Sequence, residues 1–161
     1  MSLFYILLFL HVLGAIVAFG PTFSFAIIGG MGGKEPMHAN FATRVSYAIS
    51  HRVVWPLALV QGVTGVGLIL TKGVDLTKAL WLDAAIVLYL AALGYSYFVQ
   101  TPRVRKAIDM TSTPPPPPAP GAAPSGPPPA LLALVKGIQQ GGMILGLLIV
   151  VITFLMVTKP F

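Results

Sequence analysis

Residues 3–28 read LFYILLFLHVLGAIVAFGPTFSFAII, an uncharged run that leaves a folding chain few options. Crossing a bilayer core takes about 20 apolar residues at about 1.5 Å of helix rise each, and this run exceeds that length. A backbone inside lipid must satisfy its own hydrogen bonds, so the run is expected to be a spanning helix. Only 9% of the 161 residues are charged, and mean hydropathy is +0.87. A soluble domain carries about 25% charged residues, so the composition points to an integral membrane protein. A cleaved signal peptide needs a basic start and a short apolar core. This run has neither, and it is expected to be retained as a span.

Three further apolar runs follow, at about 41–71, 79–99 and 130–157. The expected fold is an all-α, four-helix transmembrane bundle, a single membrane domain over residues 1–161. Pro21 is expected to kink the first helix, and Gly29, Gly30, Gly32 and Gly33 to end it. A loop over 31–40 would follow. The second run begins amphipathic, with Arg44, His51 and Arg52 near its start, and reads there as an interfacial or protruding helix. Trp55 and Trp81 suit interfacial belt positions.

Residues 102–129 form the longest polar stretch. Their first part is basic, with Arg103, Arg105 and Lys106, and their second is TPPPPPAPGAAPSGPPP. Such composition cannot pack a core, so a basic and then Pro-rich cytoplasmic linker is expected between helices 3 and 4.

Seven basic residues (Lys34, Arg44, Arg52, Arg103, Arg105, Lys106 and Lys136) fall at one end of this plan, against Lys72, Lys78 and Lys159 at the other. Basic loops stay in the cytoplasm, which places both termini outside the bacterial inner membrane. The formal charge of +6 is therefore assigned to topology and anionic lipid, with no nucleic-acid partner expected.

Few groups can carry chemistry. The chain has no cysteine and only four acidic residues. That excludes thiolate metal sites and nearly excludes carboxylate ones. His11 titrates near neutral pH and lies inside the first span. Helical spacing from His11 runs through Gly14, Ala15, Ala18, Thr22 and Phe25, a stripe of mostly small residues suited to helix contact. Gln61 and Thr64 reach a similar depth on the antiparallel second helix, with Asp83 shallower on the third. His11 is the candidate axial haem or metal ligand, haem b or copper, with Gln61 or Asp83 fixing the imidazole. A helix-packing hydrogen bond is the alternative role. His51 lies about 20 Å deeper, so one haem cannot take both histidines. His51, Arg52, Arg44 and Lys136 form a basic rim that suits an anion or a lipid phosphate. In the last run, Gly137 with Gly141 and Gly142 with Gly146 make two GxxxG pairs, a candidate homodimer face.

The segment LFLHVLGAIVAFGPTF and the closing LMVTKPF resemble the bacterial predicted integral membrane proteins numbered 2269 in the unknown-function series. That resemblance implies four spans with a variable loop before the last. The first helix is also similar to the copper-resistance D type and HemJ-type membrane proteins, which implies His11 as a haem or metal ligand. After the small-residue stretch, Gly20, Pro21, Thr22 and Phe23 replace the arginine or second histidine of the oxidase type. The expected function is a small membrane protein of unknown activity, with a haem or metal at His11. An assembly subunit without cofactor and a porphyrin-handling oxidoreductase are the alternatives. No catalytic motif is present, and whether the chain is an enzyme stays open, leaning against.

Overall fold

The computed structural model describes residues 2–112 and 126–160. Four long helices carry them: α1 (Leu3–Lys34), α2 (Pro36–Lys72), α3 (Leu80–Thr111) and α4 (Pro129–Thr158). Among the described residues there is no strand. Each helix is long and apolar enough to cross a membrane. At 1.5 Å per residue they run about 45 to 55 Å, well beyond a hydrocarbon core of about 30 Å. The N-terminus, Lys72, Lys78 and Lys159 share one end of the bundle, here the terminal end. The opposite end is here the basic end.

The uncharged intervals show where lipid begins and stops. No charged residue lies between Arg52 and Lys72, between Asp83 and Arg103, or between Lys136 and Lys159. Each interval is about 20 residues long, one bilayer core. The helical turns beyond them project from the basic end.

The glycines at 29–33 do not end α1. Gly32 is buried on α2, where a Cβ would sit 2.9 Å from the Ala42 Cβ and 3.4 Å from the Ala39 Cα. That close packing overrides weak helix propensity. The break falls at Glu35 (φ −122°, ψ 81°), because a residue before proline is pushed out of the α region and Pro36 follows. The expected ten-residue loop thus shrinks to a one-residue joint.

The basic stretch after Pro102 is likewise not linker but the last three turns of α3, Thr101–Thr111. Val104, Ala107, Ile108 and Thr111 recur at helical spacing and turn toward α2. Ala107 is buried, and Asn40 Nδ2 donates to the Ile108 carbonyl (3.1 Å) and to Thr111 Oγ1 (2.9 Å). Of the Pro-rich run, 113–129, residues 113–125 lie outside the described residues, and Pro129 already begins α4.

Between α2 and α3 the turn is tight. Gly73 takes the left-handed conformation (φ 62°) that ends α2, where a side chain would be strained. Asp75 then caps a single 3-10 turn, Leu76–Lys78, accepting from the Thr77 amide (3.1 Å) and hydroxyl (2.7 Å). Those two bonds hold its carboxyl below the usual carboxylate range.

Three helices change pitch near the basic boundary. α1 tightens to 3-10 over Gly20–Phe23, around Pro21. α2 widens to a π turn over Ser50–Val54, just before Trp55 and Pro56. α3 does the same over Ser96–Gln100, just before Thr101 and Pro102. A proline ring collides with the carbonyl four residues back, here Arg52 and Phe98, and brings no N–H. A widened turn makes room for it. Just past the first π turn, Trp55 packs edge-on against Tyr97 of the second, with centroids 5.5 Å apart.

The bundle is built from two close pairs. α1 packs on the terminal half of α2, and α3 on α4. Large side chains such as Phe9, Val63 and Leu147 stay exposed on the outside, as a lipid solvent allows.

Candidate functional site

His11 sits on α1 facing α2, half-buried. Its Nδ1 lies 2.9 Å from Thr64 Oγ1. The one hydroxyl hydrogen of Thr64 is directed at its own helix, toward the Val60 carbonyl (2.9 Å) or that of Gln61 (3.1 Å). With that hydrogen on a carbonyl the hydroxyl accepts, and His11 donates in the tautomer that carries its proton on Nδ1. Nε2 is left with its lone pair and has no hydrogen-bond partner among the described residues. The ring lies over Gly65, where a Cβ would come within 3.3 Å of Cε1. Thr64→Val keeps the shape and removes the acceptor. It is expected to destabilise the bundle by about 1 kcal/mol, the scale of interhelical bonds in lipid, as read by SDS titration of helicity in mixed micelles.

Gln61 does not reach toward the imidazole for a bond. Its side chain is buried, and Oε1 has no N–H or O–H donor among the described residues. The oxygen sits 2.9 Å from where a Cβ on Gly14 would be. What faces it is a glycine Cα–H, a weak donor that recurs at helix–helix contacts.

The same device appears twice more. Gln100 Nε2 donates to the Ile138 carbonyl of α4 (2.8 Å), while its buried Oε1 lacks a donor among the described residues and occupies the place of a Cβ on Gly141. The Tyr89 hydroxyl donates to the Ala58 carbonyl of α2 (2.6 Å) and sits 2.8 Å from the Cβ position of Gly62. In each consecutive helix pair in the membrane a polar oxygen thus lies against a glycine, beside the hydrogen bond that joins the pair. The first pair joins α1 and α2, the second α2 and α3, the third α3 and α4.

Around the third seat the polar groups gather. Arg103 Nη1 reaches the Gly137 carbonyl (3.3 Å) and the Tyr95 hydroxyl (3.4 Å), and that hydroxyl also overhangs Gly141. Neither Gln100 nor Tyr95 stands out in the sequence as a site residue. The available signal is an amide at the end of an apolar run, with small residues on a later one.

The basic rim divides. The His51 ring stacks on Tyr47 at 4.2 Å, and Arg105 Nε donates to the Tyr47 hydroxyl (2.7 Å). Arg44 lines a groove beside Tyr47. Arg52 and Lys136 are exposed, with no hydrogen bond or ion pair among the described residues. Asp83, half-buried in the first turn of helix after Ala79, makes none either, so His11, Gln61 and Asp83 do not converge through hydrogen bonds. Among the described residues no three histidine or acidic side chains stand close enough to hold a metal ion. In α4, Gly137 and Gly141 are taken up by α3, a Cβ on Gly146 would lie 4.0 Å from the Phe23 ring of α1, and Gly142 faces open space.

No curated protein and no solved structure matches the chain. The similarity of the first helix to the copper-resistance D and HemJ types thus has no support from whole-chain comparison. One family matches residues 5–160, nearly the whole chain, and its description is "Predicted integral membrane protein (DUF2269)". Four apolar helices, the layout of the runs and that match agree: the chain belongs to this family of integral membrane proteins of unknown function.

Proposed function

We propose that this protein is a non-catalytic membrane scaffold, an accessory or assembly subunit whose free face on α4 receives another helix. One observation carries the reading. Four polar side chains within the spans are turned to neighbouring helices, His11 to Thr64, Gln61 to Gly14, Tyr89 to Ala58, and Gln100 to Ile138 and Gly141. Gln100 alone of the four has other polar groups beside it, Tyr95 and Arg103, and Arg103 bonds the Tyr95 hydroxyl and the Gly137 carbonyl. Gly142 is open, and Met143, Leu147, Val150 and Phe154 beside it are exposed. A small residue flanked by large apolar ones lets a second backbone approach closely. The occupant is a second copy of this chain or a helix of another membrane protein. The proposed setting is the bacterial inner membrane with both termini outside, on the count of seven basic residues at one end against three at the other.

The test is the mass of the protein purified in mild detergent. A dimer or a defined complex that dissociates in Gly142→Leu supports the reading. A monomer without partner, unchanged by that substitution, overturns it.

A second reading rests on the free Nε2 of His11. A histidine that ligates a metal commonly anchors its other nitrogen by a hydrogen bond, as Nδ1 is anchored on Thr64. His11 alone of the cluster would hold a b-type haem or copper there, supplying redox chemistry within the bilayer. A Soret band or stoichiometric copper in the purified protein, lost in His11→Ala, would favour this reading over the first.

A further inference from the structure

Beyond the spans, the basic ends of α2 and α3 form a feature that neither reading above uses. The segments Ala39–Ile49 and Thr101–Thr111 lie side by side, and an open groove of about 460 Å³ runs along the first of them, closed on one side by Ile108 of the second. Phe41, Val45, Ala48 and Ile108 give it an apolar lining, and Arg44 and Tyr47 complete it. It begins about one turn beyond Arg52 and extends about three turns beyond it, starting where the hydrocarbon ends.

The charge there is one-sided. This end holds seven basic residues against Glu35 and Asp109. Arg44 is exposed and makes no ion pair among the described residues. Arg105 is held by its Nε on the Tyr47 hydroxyl (2.7 Å), with its guanidinium over the Tyr47 ring at 5.5 Å. That grip uses one N–H of five. An apolar groove at the membrane boundary, edged by the exposed Arg44 and the oriented guanidinium of Arg105, has the chemistry of a site for an anionic amphiphile. Guanidinium groups match phosphate oxygens in geometry as well as charge.

We propose that this groove binds one anionic phospholipid. The headgroup phosphate sits on Arg44 and Arg105, and an acyl chain runs from there past Val45 and Ala48 toward the bilayer. His51 stacks behind Tyr47 and supports it without touching the lipid. Of the expected rim, Arg44 is kept, Arg105 is added, and Arg52 and Lys136 serve as general interfacial charge.

The full-length protein, stripped of lipid in detergent, is titrated with phosphatidylglycerol or phosphatidylcholine and read by native mass spectrometry. One phosphatidylglycerol is expected to stay bound at concentrations where phosphatidylcholine leaves no adduct. Arg44→Gln removes an exposed, unpaired side chain and leaves the fold intact. Together with Arg105→Gln it should weaken retention at least tenfold, whereas Lys159→Gln at the opposite end should change nothing. Ala48→Trp fills the groove and should also abolish retention, with both arginines present. Equal retention of the two lipids would overturn the proposal, as would retention unaffected by the paired arginine substitutions. Displacement of the lipid by millimolar inorganic phosphate would assign the site to a free anion. A co-purifying protein that blocks labelling of a Phe41→Cys variant would assign it to a protein. The mass measurement at Gly142 is independent of all these outcomes.

Discussion

Gly141→Leu is expected to unfold the bundle well below the SDS fraction that unfolds the parent, while Gly142→Leu, one residue on, leaves unfolding of the dissociated single chain unchanged or raised, whatever it does to association. The two positions differ only in what surrounds them. A Cβ on Gly141 would overlap the Gln100 amide and lie 2.9 Å from the Tyr95 hydroxyl, whereas Gly142 has nothing within 4 Å. Overpacking costs about 1 to 3 kcal/mol where neighbours can shift, and more where they cannot. Gln100 has little freedom to shift, because Nε2 is tied to the Ile138 carbonyl. Leucine for glycine within a helix otherwise gains most of about 1 kcal/mol in propensity, and Gly142→Leu should keep that gain. The measurement is helicity against SDS mole fraction for the three proteins. Equal loss at both positions would mean that α3 and α4 do not meet at Gly141.

Single-cysteine labelling is expected to give an all-or-none result. The chain has no cysteine, so each introduced thiol is unique. Met37 is 93% exposed at the basic end, and Leu76 is 40% exposed in the turn at the terminal end. With positive charge retained on the cytoplasmic side, an impermeant maleimide added to spheroplasts should label Leu76→Cys at once. It should reach Met37→Cys only after the membrane is opened. The opposite order would invert the topology and place the lipid groove on the outer face. Simultaneous labelling of both in sealed spheroplasts would argue against four crossings.

The spans were legible because lipid imposes a strong and simple demand. Uncharged runs of bilayer length, bounded by Arg52, Lys72, Asp83, Arg103, Lys136 and Lys159, mark them plainly. The depth match of His11 with Thr64 also followed from counting along antiparallel helices, and the structure joins the two at 2.9 Å. Helix ends were harder. Gly32 reads as a helix breaker until Ala39 and Ala42 are known to lie against it. The α3 extension was readable, since Val104, Ala107, Ile108 and Thr111 keep helical spacing. The basic residues among them drew the segment into the linker instead. The π turns before Pro56 and Pro102 show how a proline inside a long helix is absorbed without a break. Which glycine meets which amide depends on register between helices. No local pattern in one run encodes that, and Gln100 on Gly141 was hidden for this reason.

The most direct test of the account is a double-mutant cycle at Gln100 and Gly141, read by the same SDS titration. If the Gln100 amide occupies the seat on Gly141, Gly141→Ala should be strongly destabilising in the parent. It should cost far less in a Gln100→Ala background, where only the Tyr95 hydroxyl, 2.9 Å from the Cβ position, still has to shift. Additive losses, with Gly141→Ala equally harmful in both backgrounds, would contradict an oxygen seated on that glycine, and with it the arrangement by which the helices are joined.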